Sequence, residues 1–144
     1  MWRESLGDLV TGSWRPPAPY AALHAVETSL GRSLPPALRS LLLETDGIEG
    51  PYGEDIVWPA DRVLNDNLTF RTRPEFRALY RPFDPLLFFG DNGGGDQFAF
   101  VRAPDAKGGV YVWDHETDER RHVAADLGTY LREALGSGGE DWYR

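Results

Sequence analysis

The sequence predicts an α+β fold: helices packed on one predominantly antiparallel β-sheet, with a strand meander between N-terminal helices and a C-terminal helix. Two changes of period predict it. Apolar residues recur at helical spacing in the first half, switch to strand-like alternation from Pro85, and return to helical spacing after Ala125. A chain of 144 residues can bury roughly two-thirds of its unfolded surface in one core. One domain over 1–144 is therefore expected, with its core at about 18–136 and the termini 1–15 and 137–144 loosely ordered.

Each element has its own signal. After the Pro-rich run Arg15 to Pro19, the residues Tyr20, Leu23, Val26 and Leu30 line one face of a helix that Gly31 ends. LPPALRSLLLETDG predicts a second helix, with Pro36 in its first turn, Leu38, Leu41 and Leu42 as its stripe, and an end near Thr45 before Gly47. Turn formers then surround one short β-like run, Ile56-Val57-Trp58. PEFRALYR reads as a short helix with Phe76, Leu79 and Tyr80 on one side. Four strands follow, PLLFFG, DQFAFVR, GVYVWDH and RRHVAA, each bounded by Gly, Asp, Asn or Pro, and short links make them a meander. The chain closes with a helix over ADLGTYLREALG, where Leu127, Tyr130, Leu131 and Leu135 share a face.

Composition narrows the function. No apolar run approaches the roughly 20 residues that span a bilayer, and the N-terminus carries acids and glycines where a secretory signal has a basic start. A cytoplasmic location is expected. With no cysteine, thiolate metal sites, disulfides and cysteine nucleophiles drop out. The net charge of −8, from 23 acids and 15 bases, disfavours nucleic acid and anionic membrane as partners and favours a basic protein. The charge is also uneven. Six acids and no base lie between Glu44 and Asp61, whereas Arg71, Arg73, Arg77 and Arg81 face only Glu75 in the stretch after it.

The most site-like motif is FFGDNGGGDQFAF, Phe88 to Phe100. Phosphate-binding glycine loops join a strand to a helix, and the useful ones often carry a lysine. Here the glycines join two strands and are flanked by Asp91 and Asp96, so the motif predicts a tight hairpin. DHETDE, Asp114 to Glu119, alternates Asp114, Glu116 and Asp118 as a calcium loop does, but Glu119 stands where that loop needs glycine and Ala125 where it needs glutamate. It reads as a solvated turn, and no metal is expected. His24, His115 and His122 form no zinc-type spacing, and no serine sits in a Gly-x-Ser-x-Gly elbow. Neither an enzymatic activity nor a cofactor is expected.

From about Tyr20 to Leu135 the chain resembles the SUKH superfamily, the Smi/Knr-like domain. The resemblance rests on an ordered set: the LPPALRSLLLETDG helix, the Ile-x-x-Pro-like element Ile56 to Pro59, FFGDNGGGDQFAF, the aromatic strand VYVWDHET and a helix of the DLGTYLREAL type. The resemblance implies an α+β protein that works by binding. Most bacterial members are thought to be immunity proteins that sequester a cognate polymorphic toxin domain, often a nuclease, encoded nearby. Fungal relatives regulate cell-wall assembly, which implies a scaffolding role as the alternative.

Charge and turn positions then predict the partner-binding face. It combines Glu49, Tyr52, Glu54, Asp55 and Trp58 with Asp91 and Asp96 of the glycine hairpin and Asp114, Glu116, Asp118 and Glu119 of the second acidic turn. Acids would steer a basic toxin domain and aromatics would anchor it.

Overall fold

Residues 1–10, 14–103, 108–138 and 140–144 are described by the structure, a computed structural model. Its strands form the expected meander. β3 (Leu86–Asp91), β4 (Gln97–Val101), β5 (Val110–Trp113) and β6 (Arg120–Ala124) lie side by side in chain order, every pair antiparallel. A small hairpin of β1 (Ile48–Glu49) and β2 (Asp55–Val57) flanks β3, where Trp58 N–H donates to Phe89 O at 2.7 Å.

Helices cover both faces of this sheet, and aromatic residues show which strand positions meet which helix. α4 (Ala60–Thr72) and α5 (Pro74–Leu79) cover one face, where Phe70, Phe83, Phe88 and Trp113 pack with ring centroids 4.9 to 5.7 Å apart. α6 (Leu127–Gly136) covers the other, placing Tyr130 against Phe89 and Phe98. Its N-terminus is capped by Asp126, whose carboxylate accepts from Thr129 N–H at 2.7 Å. Strand alternation puts the successive Phe88 and Phe89 on opposite faces, and a bulge between Phe88 and Gly90 shifts the register beside them. α2 (Tyr20–Leu30) packs on α4, α3 (Pro36–Leu42) adds Leu38, Leu41 and Leu42 to the core, and a short α1 (Trp2–Leu6) precedes them.

Three expectations are revised. α4, the longest helix at 13 residues, has no counterpart in the sequence reading. Asn67 occupies the core-facing position between Val63 and Phe70 where an apolar residue would have completed the helical period. It is buried because its amide takes the place of a β-ladder partner: Nδ2 donates to Phe88 O at 2.9 Å, and Oδ1 accepts from Phe88 N–H at 2.8 Å. α3 stops at Leu42 instead of near Thr45, whose buried hydroxyl donates to Gly47 O at 3.0 Å and accepts from Arg15 N–H at 3.1 Å. Leu79, expected in the apolar face of its helix, is 72% exposed, because α5 ends there and Tyr80 turns inward instead. Leu6 and Tyr143, near the two ends of the chain, lie in the core, while residues 11–13 and 139 of the terminal segments lie outside the described residues.

Candidate interaction site at the turn end of the sheet

Antiparallel pairing puts the β3–β4 and β5–β6 turns at the same end of the sheet, since Gln97 pairs with both Asp91 and Trp113. The β1–β2 turn joins them: a Cβ at Gly93 would lie 3.4 Å from that of Glu54. The C-terminal residues Glu140 to Tyr143 complete the rim, enclosing with Tyr52, Glu54 and Asn92 a cleft of about 240 Å³. Beside it a second cleft of about 290 Å³ runs between Asn92, Asp114, Glu116 and Asp141. Four segments far apart in sequence, three turns and the C-terminal residues, thus form one acidic end.

Its glycine hairpin is closed by its own side chains. Asp91 Oδ1 accepts from Gly93 N–H and Asn92 Oδ1 from Gly94 N–H, each at 2.8 Å. Gly93 and Gly95 take the positive φ values, 81° and 108°, that the bend requires. With these amides already occupied, the loop is a turn and not an anion cradle.

The predicted acids divide into those spent on the fold and those that face water. Asp91 accepts from the Trp58 indole N–H at 2.8 Å and pairs with Arg62 Nη2 at 2.8 Å. Arg62 also pairs with Asp55 at 2.9 Å and Asp66 at 3.1 Å. Its guanidinium is partly desolvated, which would lower its pKa, but the hydrogen bond it donates to Asp66 and the charges around it win and raise it. Asp55 receives Arg15 as well, at 3.4 Å. Asp96 is buried and accepts from His115 Nδ1 at 2.8 Å and Arg144 Nη2 at 3.2 Å. Asp118, in left-handed backbone at φ 62°, accepts from Trp113 Nε1 at 2.8 Å and from Arg81 N–H at 3.0 Å, and it pairs with Arg120 at 3.1 Å. Charges used in this way shape the turns and contribute little outward field.

Trp58 is corrected outright. Expected as a contact residue, it has no exposed surface; its ring lies beneath the Arg62 guanidinium, 4.2 Å from the centroid, where it holds the hairpin to α4. Tyr52 has the opposite setting. It is 74% exposed, with its hydroxyl donating to Gly138 O at 3.2 Å. Facing water beside it are Glu49, Glu116 and Glu119, with Asp114 half-buried after accepting from Glu116 N–H at 2.9 Å and Glu54 after accepting from Tyr52 N–H at 3.0 Å.

Arg62, Tyr143, Arg144, Glu140 and Asp141 have no counterpart in the predicted face. Asp141 pairs with Arg144 at 2.8 Å, and the Tyr143 hydroxyl meets Asn92 and Asp96. Burial, partly opposed by Asn92, pushes the Tyr143 phenol up to about 12. The signal available in the sequence was the pairing of acids with aromatics in EDWYR.

For chemistry, the ligand atoms of Asp96, Asp114 and His115 lie within 4.8 Å of one another, a spacing a divalent cation can use. Arg144 already supplies the positive charge that Asp96 needs. The hydroxyls of Ser5, Ser40 and Ser137 donate to helix carbonyls, and His122 meets Gly108 O. None of these groups is paired as a nucleophile with a base.

A sheet clothed by helices on both faces, with charged turns gathered at one end, is an α+β fold of the SUKH type. The chain belongs to the SMI1 / KNR4 family (SUKH-1), whose family model matches residues 17–133. A search of curated proteins finds no match. Among the described residues, no helix is long and apolar enough to cross a membrane.

Proposed function

We propose that the chain is a non-catalytic immunity-type protein that sequesters and neutralises a cognate toxin domain, meeting it with the acidic end of the sheet. Family membership is compatible with this role. The observation that supports it most is the convergence of the three turns and the C-terminal segment around adjoining clefts. Rigid turns held by internal ion pairs present Glu49, Glu116, Glu119 and Glu140 to water at fixed positions, with Tyr52 as an exposed aromatic anchor.

Such a surface accelerates encounter with a basic partner and keeps the partner's register. Where the toxin is a nuclease, the same acids compete with nucleic acid for its basic groove. Co-expression with a toxin domain encoded beside the gene tests the reading. Cells survive and the pair co-purifies if it holds; cell death or failure to associate contradicts it for that partner, and a gene with no such neighbour favours the scaffolding role.

A further inference from the structure

At the other end of the sheet lies a pocket of different character. It opens between the α2–α3 connection, the start of β3 and the end of β4, with a volume of about 290 Å³. Leu30, Leu34, Leu86, Leu87, Phe100 and Val101 form its apolar lining. Among the described residues, Arg32, Arg71 and Arg102 stand in its wall against a single carboxylate, Asp84. Among the described residues, no ion pair reaches any of the three arginines. On a chain of net charge −8, three guanidinium groups against one carboxylate among the described residues, beside an apolar floor, are a local inversion of the field.

Arg71 is placed most firmly. Its Nη2 donates to Leu86 O at 2.9 Å, while its Nε is enclosed without a partner. Burial lowers its pKa, Asp84 acts against that, and the nearby positive charge of Arg32 adds to it. An anion between Arg32 and Arg71 would relieve that repulsion and supply acceptors for the open N–H groups. Guanidinium groups suit carboxylates because the planar fork matches the two oxygens. The volume is at the lower end for small-molecule sites, which fits one apolar side chain or short acyl group and excludes a large cofactor.

We propose that this pocket binds a small amphipathic carboxylate, its apolar group seated on Leu86, Leu87 and Phe100 and its charge held by Arg32 and Arg71. The site is separate from the acidic turn end, so it stands whether or not the toxin reading does. The same chemistry is offered by a free short-chain acid or by the C-terminal residue of a peptide.

Calorimetric titration of the full chain with octanoate, octanol and acetate tests it. Octanoate is expected to bind at least tenfold more tightly than either of the others, and Arg32→Gln, at an exposed position where the backbone N–H alone is hydrogen-bonded among the described residues, to weaken octanoate about tenfold while leaving the melting temperature unchanged. Octanol binding as well as octanoate, acetate binding as well as octanoate, or an Arg32→Gln affinity equal to the parent's would each overturn the proposal. N-acetyl-Ala-Leu with a free carboxylate, compared with its amide, separates the two sources. Tighter binding of the free peptide than of octanoate identifies a protein C-terminus, and weaker binding identifies a small acid.

Discussion

Arg62 Nη2 lies 2.8 Å from Asp91 Oδ2, and the same guanidinium reaches Asp55 and covers the Trp58 ring. One cation from α4 thereby fixes two of the acids expected to face a partner. Arg62→Ala leaves a carboxylate whose side chain is only 11% exposed without its ion-pair partner, holding only its hydrogen bonds from the Trp58 indole and Gly93 N–H. The expected cost is about 2 kcal/mol, less than for a fully buried pair because Arg62 is itself partly in water. Urea denaturation checks it, with Glu116→Gln as a control expected to stay within about 0.5 kcal/mol of the parent.

Asn67 offers a second test. Replacing it with leucine keeps the volume but removes the groups that pair with Phe88 N–H and C=O. A loss of about 2 kcal/mol is expected from two orphaned buried groups, together with faster hydrogen exchange at the Phe88 amide. Unchanged exchange would mean that the β3 edge is protected by something else.

Gly90 lies where β3 passes β2. A Cβ there would run into the Ile56 carbonyl and stand 3.0 Å from the Tyr130 hydroxyl. Backbone cannot yield as a flexible side chain does, so Gly90→Ala is expected to destabilise by roughly 1–3 kcal/mol. A variant that melts with the parent would contradict the close approach.

Asp118 makes stability depend on pH. Desolvation would raise its carboxyl, but hydrogen bonds from Arg81 N–H and the Trp113 indole, with the charge of Arg120, outweigh this and hold it below the ordinary 3.8. The unfolded chain therefore takes up the proton first. The contribution is complete above the unfolded value and is lost as pH falls through the lower folded one. Asp118→Asn is expected to be less stable than the parent near about pH 7, with the gap closing below about pH 4. A gap that persists into acid would assign the effect to the turn backbone and not to the charge.

How much of this was legible in the sequence follows from what kind of force sets each feature. The meander, the glycine hairpin and α6 were legible because period and turn chemistry act within a few residues. α4 was not, because Asn67 breaks its apolar stripe for the sake of Phe88, 21 residues away. The acidic end was legible in outline, since turn residues carry it. The division of its acids was not: whether Asp91 faces water or Arg62 depends on a helix that local pattern did not reveal, and Trp58 looked exposed only because its neighbours in sequence are turn formers.

The central claim is that the outward acids of the turn end meet a basic toxin domain. Association kinetics between the chain and a toxin domain identified by co-expression, at two ionic strengths, test it most directly with the variant Glu116→Lys, Glu119→Lys, Glu140→Lys, whose altered positions are exposed. The account predicts at least a tenfold slower association rate at low salt and a weaker salt dependence, with an unchanged melting temperature. An association rate equal to the parent's at both ionic strengths would contradict it and place the interface elsewhere.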